Sequence, residues 1–151
     1  MKILIHQENL YDYRLELLNK LGEIHQLVVL TSNNQLANKD YNFRVIKGKR
    51  IVIGKFIFNI GVLKLIFSRF DKYIILPNLY YPLTILLFFL IPKRKRIIWG
   101  CDTKKKNLIL MFRILMMKLS RSIIQYNDEE REKLLKYKID LNKIFVANNT
   151  I

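Results

Sequence analysis

The segment Arg96-Ile97-Ile98-Trp99-Gly100-Cys101-Asp102 indicates the fold most directly. A short apolar run ends in a tryptophan, and a glycine, a thiol and a carboxylate follow. This pattern is typical of a parallel strand that is buried on both faces and leaves the core at its carboxyl end. Ligands in open α/β sheets bind beyond these strand ends. We therefore predict a central strand whose exit lines a substrate cleft, with a core strand followed by an ordinary polar loop as the alternative.

Five further short apolar runs lack strict alternation of apolar and polar residues. They span residues 3–5, 27–30, 73–76, 123–125 and 144–147. Segments of helical length lie between most of them. Such a succession predicts βαβ units and a parallel sheet.

Several residues mark where the intervening helices begin and end. Asp12 is suited to cap the first helix, and Gly22 is predicted to stop it. Pro82 is suited to the first turn of a helix that ends before Pro92. Asn127 is predicted to cap the last helix, because an acidic residue follows three positions later.

Residues 41–58 interrupt this regular succession. Aromatic and β-branched side chains predict one or two further strands around Gly48, followed by a helix over residues 59–69. The basic segment Lys47-Gly48-Lys49-Arg50 would either face phosphates or form a solvated hairpin, and the sequence leaves both open.

Two apolar stretches raise the question of membrane contact. Residues 74–92 carry no charge, but Pro77 and Pro82 interrupt them, so we predict a strand, an exit loop and a core helix instead of a membrane span. A helix over residues 104–121 is apolar almost all round and has basic ends. Burial explains part of this pattern, and contact with a membrane interface or a partner domain would explain the remainder.

Composition narrows the classes of partner. The 151 residues are 51% hydrophobic and carry 27 Lys and Arg against 12 Asp and Glu, a formal charge of +15. This excess favours a polyanionic partner. Nucleic acid is not predicted, because the aromatic residues are not interleaved with the basic clusters. The single cysteine, Cys101, excludes an internal disulfide, and no metal site is predicted.

The predicted parallel sheet would bring four polar exit loops to one edge. Their amide, phenol, carboxylate and guanidinium groups suit hydroxyl-rich and phosphate-bearing ligands, and Arg14 in a first helical turn could meet a phosphate. The loops contribute His6, Gln7, Glu8, Tyr13 and Arg14; Asn78, Tyr80 and Tyr81; Cys101 and Asp102; and Asn127 and Asp128. No glycine-rich dinucleotide or Walker motif is present. A Cys101 nucleophile with His6 as its base is a further, less favoured arrangement.

The carboxyl-terminal part of the chain resembles a known family. Residues 122–135 and 138–151, ending in Asn148-Asn149-Thr150-Ile151, are similar to the end of the N-terminal domain of GT-B glycosyltransferases of the family 4 (glycosyltransferase group 1) type. Residues 1–30, with Tyr13-Arg14, resemble the start of that domain. Trp99-Gly100 resembles the Trp-Gly-His segment of one branch, and Cys101 stands where that branch carries a histidine.

This resemblance implies a Rossmann-like, mostly parallel sheet with helices on both faces, formed by residues 1–147. Residues 148–151 would begin the linker to a donor-binding domain that is missing here, so we expect the isolated chain to be inactive. The implied reaction transfers a sugar from a nucleotide sugar to a glycan or lipid-linked acceptor in cell-surface polysaccharide synthesis, without a cofactor or a metal ion.

The site residues predicted on this basis fall into two groups. Cys101 and Asp102 are the predicted catalytic residues. Substrate binding is assigned to His6, Tyr13, Arg14, Asn78, Tyr80, Trp99, Gly100, Asn127 and Asn149. An anionic membrane surface is the further expected partner, with a cytoplasmic, peripheral location on the inner face of the membrane. The alternative function is a non-enzymatic basic domain that docks on an anionic membrane or a partner protein.

Overall fold

The computed structural model describes residues 1–8, 10, 12–32, 40–100 and 108–147. These segments contain nine strands. They are β1 (Lys2–His6), β2 (Gln26–Thr31), β3 (Arg44–Lys47), β4 (Arg50–Ile53), β5 (Phe56–Asn59), β6 (Lys72–Ile75), β7 (Arg96–Trp99), β8 (Ser122–Gln125) and β9 (Ile144–Val146). All six predicted strands are present, within a residue or two of their predicted ends.

Seven of the strands form one parallel sheet in the order β3-β2-β1-β6-β7-β8-β9. The predicted α/β, Rossmann-like fold is therefore confirmed. β7 is an interior strand, paired with β6 and β8, as its apolar sequence predicts. The chain builds the sheet outward from β1 to β3 and then returns to place β6 on the other side of β1. This reversal creates a switch point between β1 and β6, the place where open α/β sheets bind ligands.

Five helices within the described segments cover both faces of the sheet. They are α1 (Asp12–Ile24), α2 (Gly61–Ile66), α3 (Pro82–Leu90), α4 (Leu108–Lys118) and α5 (Asp128–Leu135), with short 3₁₀ turns at Lys93–Lys95 and Leu141–Lys143. Leu18 of α1 packs on Ile3 and Ile5 of β1. The other four helices contribute to a second core on the opposite face, around Leu4 and Ile75.

Gly22 does not end the first helix, so this prediction was wrong. α1 continues through Gly22 to Ile24. A Cβ atom at position 22 would lie 2.1 Å from the carbonyl oxygen of Asn42. The glycine is therefore needed inside the helix, where it lets the segment before β3 approach the backbone closely.

Residues 41–59 form three strands, one more than the largest number predicted. β3 joins the edge of the sheet, whereas β4 and β5 form a separate antiparallel hairpin. All four residues of β4 are exposed. The basic segment spans the end of β3 and the start of β4, so it joins the sheet to the hairpin, and both of its predicted roles stay predictions. The helix predicted over residues 59–69 is shorter, since α2 ends at Ile66.

The two apolar stretches form ordinary secondary structure. The first forms β6, a loop and α3, as predicted. α4 buries one side, including Ile114 and Met117, and exposes another that includes Leu108 and Met111. The helix predicted over residues 104–121 is described only from Leu108, and it ends at Lys118. Among the helices of the described segments, none combines the length and apolarity that crossing a bilayer requires.

Candidate functional site

A crevice of about 160 Å³ opens at the switch point between β1 and β6. Residues from the two strand exits line it together with one residue of α1 and one just before α3. The lining consists of His6, Gln7, Glu8, Arg14, Leu76, Asn78 and Tyr81. The crevice therefore combines the expected position for a ligand in this fold with a lining in which polar residues outnumber apolar ones.

His6, the last residue of β1, is a buried and neutral member of this wall. Its Nδ1 lies 3.2 Å from the hydroxyl of Thr84 on α3, and its ring meets that of Tyr81 edge-on. Burial lowers the pKa of His6 to about 4, so the imidazole is uncharged near pH 7. Within the described residues, Nε2 has no hydrogen-bond partner. The carboxylate of Glu8 approaches this nitrogen, with Oε2 at 3.9 Å from Nε2, so a ligand hydroxyl at this point would meet both groups.

Glu8 is held at the crevice by residues from two other parts of the chain. The Nδ2 group of Asn59, at the end of β5, donates to Oε2 of Glu8 at 3.5 Å and to the hydroxyl of Ser32 at 3.0 Å. The Asn59 amide oxygen accepts from the backbone N–H of Gly61, which begins α2. Arg50 of the hairpin approaches Oε1 of Glu8 at 4.0 Å. Asn59 thus ties the hairpin, the end of β2 and the start of α2 to this carboxylate.

Gln7 completes the exit of β1. Its backbone N–H donates to the carbonyl of Leu30, which keeps the residue aligned with β2. Its side chain is buried, and the amide oxygen has no hydrogen-bond partner in the described part of the chain. Buried polar atoms are almost always paired in folded proteins. An unpaired amide oxygen at a ligand crevice therefore favours a ligand that donates a hydrogen bond.

Arg14 connects the crevice to the ends of β7 and β8. Its guanidinium donates to the hydroxyl of Tyr126 at 3.0 Å and lies 5.1 Å from the centre of the Trp99 ring. Gly100 has a φ angle of +67°, and a Cβ atom there would lie 2.4 Å from the Tyr126 hydroxyl oxygen. Position 100 therefore requires glycine. Trp99 and Tyr126 hold the guanidinium of Arg14, which lies in the first turn of α1. These contacts restrict the positions from which Arg14 could bind a phosphate.

The structure brings together part of the predicted substrate-binding set. His6, Arg14 and Asn78 line one crevice, and Trp99 and Gly100 join it through the contacts of Arg14 and Tyr126. The prediction that parallel strands bring their exit loops to one edge of the sheet was sufficient to predict that these residues lie near one another.

Two predicted residues have other contacts. Tyr80 is exposed and does not line the crevice; its carbonyl accepts from the backbone N–H of Ile57 in the hairpin. Asn127 caps α5, since its side-chain oxygen accepts from the backbone N–H of Glu130 at 2.9 Å. The predicted cap is thus confirmed, and this oxygen already has a structural partner.

The remaining predicted residues are not placed by the structure. Cys101, Asp102 and Asn149 lie outside the described residues, and Tyr13 is described only as part of α1. The catalytic assignment of Cys101 and Asp102 therefore stays a prediction, as does the pairing of Cys101 with His6.

Two contributors were not predicted from the sequence. Asn59 lies more than fifty residues from Glu8 and follows a hairpin whose position no local pattern reveals. Tyr126 lies in the segment 122–135 that resembles the family, but no role was predicted for it, although its hydroxyl accepts from Arg14. A polar residue directly after an apolar run was the only available signal for either one.

Other features of the surface are separate from the crevice. An apolar groove of about 790 Å³ lies along α4 and the end of α5, lined by residues such as Met111 and Tyr137. In the described segments, no group of three or more His, Cys, Asp or Glu residues is arranged to hold a metal ion.

Comparison with solved structures supports the fold. UDP-N-acetylglucosamine 2-epimerase from Rickettsia bellii matches 98% of this chain with a TM-score of 0.59 at 12% sequence identity. UDP-GlcNAc 2-epimerase from Methanocaldococcus jannaschii matches 97% of it with a TM-score of 0.59 at 15% identity. The chain spans 45% of each of those proteins. No family model and no curated protein matches the sequence. The likeness supports a GT-B-type domain, and assignment to glycosyltransferase family 4 remains a prediction.

Proposed function

We propose that the switch-point crevice binds the sugar portion of a nucleotide sugar. We also propose that the chain is the acceptor-side domain of an enzyme that transfers this sugar to a glycan or lipid-linked acceptor. One observation carries the proposal: His6, Gln7 and Glu8 each present a buried polar atom without a hydrogen-bond partner in the described segments. Sugar hydroxyls both donate and accept hydrogen bonds, so they can pair with all three.

The structural neighbours support the same ligand class. Both are named for an activity on UDP-N-acetylglucosamine. Because this chain spans less than half of either protein, a second domain would contribute the remainder of the binding site. We therefore expect weak binding of a nucleotide sugar by this chain and no turnover without a donor-binding domain.

Epimerisation is the second candidate reaction, because it is the activity for which both neighbours are named. The two reactions differ in their products. With a donor-binding domain supplied in trans, transfer releases nucleotide only when an acceptor is present. Epimerisation instead changes the configuration at carbon 2 of the sugar while the nucleotide stays attached.

The binding proposal is tested with two matched variants. Gln7 and Gln125 are both buried glutamines whose amide oxygen has no hydrogen-bond partner among the described residues, but only Gln7 lines the crevice. Calorimetric titration with UDP-GlcNAc should show that Gln7→Leu weakens binding about tenfold, the cost of roughly one hydrogen bond. Gln125→Leu should bind like the unmodified chain. Equal effects of the two substitutions, or no binding by the unmodified chain, would contradict the proposal.

A further inference from the structure

The outer side of α4 carries an exposed apolar stripe. Leu108, Met111 and Leu115 follow one another at helical spacing, and Lys118 continues the stripe at the end of the helix. Leu108 is 82% exposed and Met111 is 71% exposed. The opposite side of α4, which includes Ile114, already packs in the core. A continuous row of exposed apolar side chains usually marks a contact with another molecule.

The outer side of α5 carries charges of opposite sign at its two ends. Asp128, Glu132 and Lys136 are exposed and lie four positions apart, so they share one side of the helix. The exposed side chain of Leu135 adjoins them. This side of α5 therefore changes from acidic at its start to apolar and then basic at its end.

The groove of about 790 Å³ joins these two stripes into one surface. Its apolar wall comes from α4, and Lys118, Lys136 and Lys138 also line it. α4 connects β7 to β8 and α5 leads from β8 to β9 in the same parallel sheet, so both helices run from its carboxyl edge to its amino edge. The three lysines therefore lie at one end and the acidic start of α5 at the other. Asp128 and Glu129 make ion pairs within α5, but their side chains stay 72% and 73% exposed.

This distribution of charge is complementary to itself. We call the exposed side of the two helices the α4–α5 surface; it comprises Leu108, Met111, Leu115, Lys118, Asp128, Glu132, Leu135 and Lys136. A uniformly acidic partner would match the lysines but would be repelled by Asp128 and Glu132. Two copies of this chain, each with a formal charge of +15, repel each other in most orientations. A two-fold axis across the helices, however, places the acidic end of each copy opposite the basic end of the other.

We propose that two copies of this chain form a symmetric dimer through the α4–α5 surface. The helices of the two copies run antiparallel, and their apolar stripes pack against each other. Glu132 of each copy faces Lys136 of the other. α4 and α5 connect β7 to β9, whereas the crevice lies at the exits of β1 and β6, so both crevices stay open in the dimer.

Sedimentation equilibrium with charge-reversed variants tests this arrangement. Glu132→Lys and Lys136→Glu each place like charges at both symmetric contacts, so each variant alone should dimerise about tenfold more weakly than the unmodified chain. An equimolar mixture of the two variants should associate like the unmodified chain, because both contacts again join unlike charges. This recovery requires that the two positions face each other across a two-fold axis. Met111→Ser, in the apolar stripe, should also weaken the dimer.

α1, on the opposite face of the sheet, supplies matched controls. Glu16 and Lys20 are exposed, lie four positions apart like Glu132 and Lys136, and form an ion pair at 2.8 Å. Glu16→Lys and Lys20→Glu make the same changes in net charge, and both variants should dimerise like the unmodified chain. All of the substituted positions are exposed, so the variants should fold, and circular dichroism would verify this.

Three results would overturn the proposal. They are an unmodified chain that stays monomeric at every concentration, equal losses in the α1 and α5 variants, and a mixture of Glu132→Lys and Lys136→Glu that stays as weakly associated as either variant alone. Calorimetric titration with UDP-GlcNAc is a separate readout of the crevice. The two α5 variants should bind this ligand like the unmodified chain, whether or not they dimerise.

Discussion

At the scale of single residues, His6 is a titratable group that is removed from water. It ends β1 inside the protein, bonded to Thr84, and burial lowers its pKa to about 4. The unfolded chain, with an ordinary histidine pKa, takes up a proton between pH 6.5 and pH 4 that the folded chain does not. The contribution of His6 to stability is therefore complete above about pH 6.5 and is lost as the pH falls towards 4.

This linkage predicts an acid-dependent loss of stability. Acidification from pH 7 to pH 4 should lower the free energy of unfolding by about 3 kcal/mol through His6 alone. The variant His6→Gln should lose less stability over the same range. Chemical denaturation at a series of pH values measures the effect, with His25→Gln as a control at the only other histidine. An identical pH dependence of the unmodified chain and the His6→Gln variant would contradict the prediction.

Asn59 provides the second prediction at this scale. Asn59→Asp keeps the oxygen that accepts from Gly61 but replaces the Nδ2 donor by an oxygen facing Glu8. Loss of a buried donor beside a carboxylate should destabilise the fold by about 2 kcal/mol or more.

Asn42→Asp is the matched control for this change. Asn42 also donates to a carboxylate, that of Glu23 at 3.1 Å, but at the exposed surface. Its replacement should cost less than about 1 kcal/mol. Denaturant titrations that gave equal costs for the two substitutions would show that Asn59 does not hold Glu8 in the way described.

At the scale of secondary structure, the strands were the most predictable elements. Runs such as Ile97-Ile98-Trp99 are buried on both faces, so their sequence is continuously apolar, and the strand follows from composition and length alone. The cap of α5 was predictable for a similar reason, because Asn127 bonds to a backbone group three residues away. Contacts between residues that are close in the chain can therefore be predicted from the sequence around them.

The elements that sequence reasoning missed depend on distant contacts. Gly22 was taken as a helix stop, because a glycine after a helical segment usually has that role. Its actual constraint comes from the backbone of Asn42, twenty residues later. The number of strands in residues 41–59 was underestimated, because the exposed hairpin has no buried face to impose a regular alternation.

The role of Gly22 leads to a prediction for α1. Alanine normally stabilises a helix relative to glycine by about 1 kcal/mol. Gly22→Ala should instead destabilise the protein by about 1–3 kcal/mol, because the new methyl group would overlap the Asn42 carbonyl. Thermal unfolding measures the change, and Glu16→Ala at an exposed position of α1 should have an effect of about 0.5 kcal/mol or less. Unchanged or increased stability of Gly22→Ala would show that the loop can move away.

At the scale of the whole molecule, the strand order generates the candidate site. The reversal between β1 and β6 leaves a gap at the carboxyl edge, and His6, Gln7, Glu8 and Asn78 surround it. The sequence predicted that polar exits would share an edge, but the strand order selects which exits meet. The contribution of Asn59 could not be predicted, since it depends on how the hairpin folds back onto β1.

The central claim is that this crevice is where a nucleotide sugar binds, and amide chemical-shift mapping tests it most directly. Addition of UDP-GlcNAc to the isotopically labelled chain should shift the amide resonances of residues 6–8, Asn78 and Tyr81 most strongly. The amides along the groove of α4 and at residues 51–53 of β4, beyond Arg50, should stay unchanged. Shifts confined to α4 or β4, or no shifts at a saturating ligand concentration, would contradict the account.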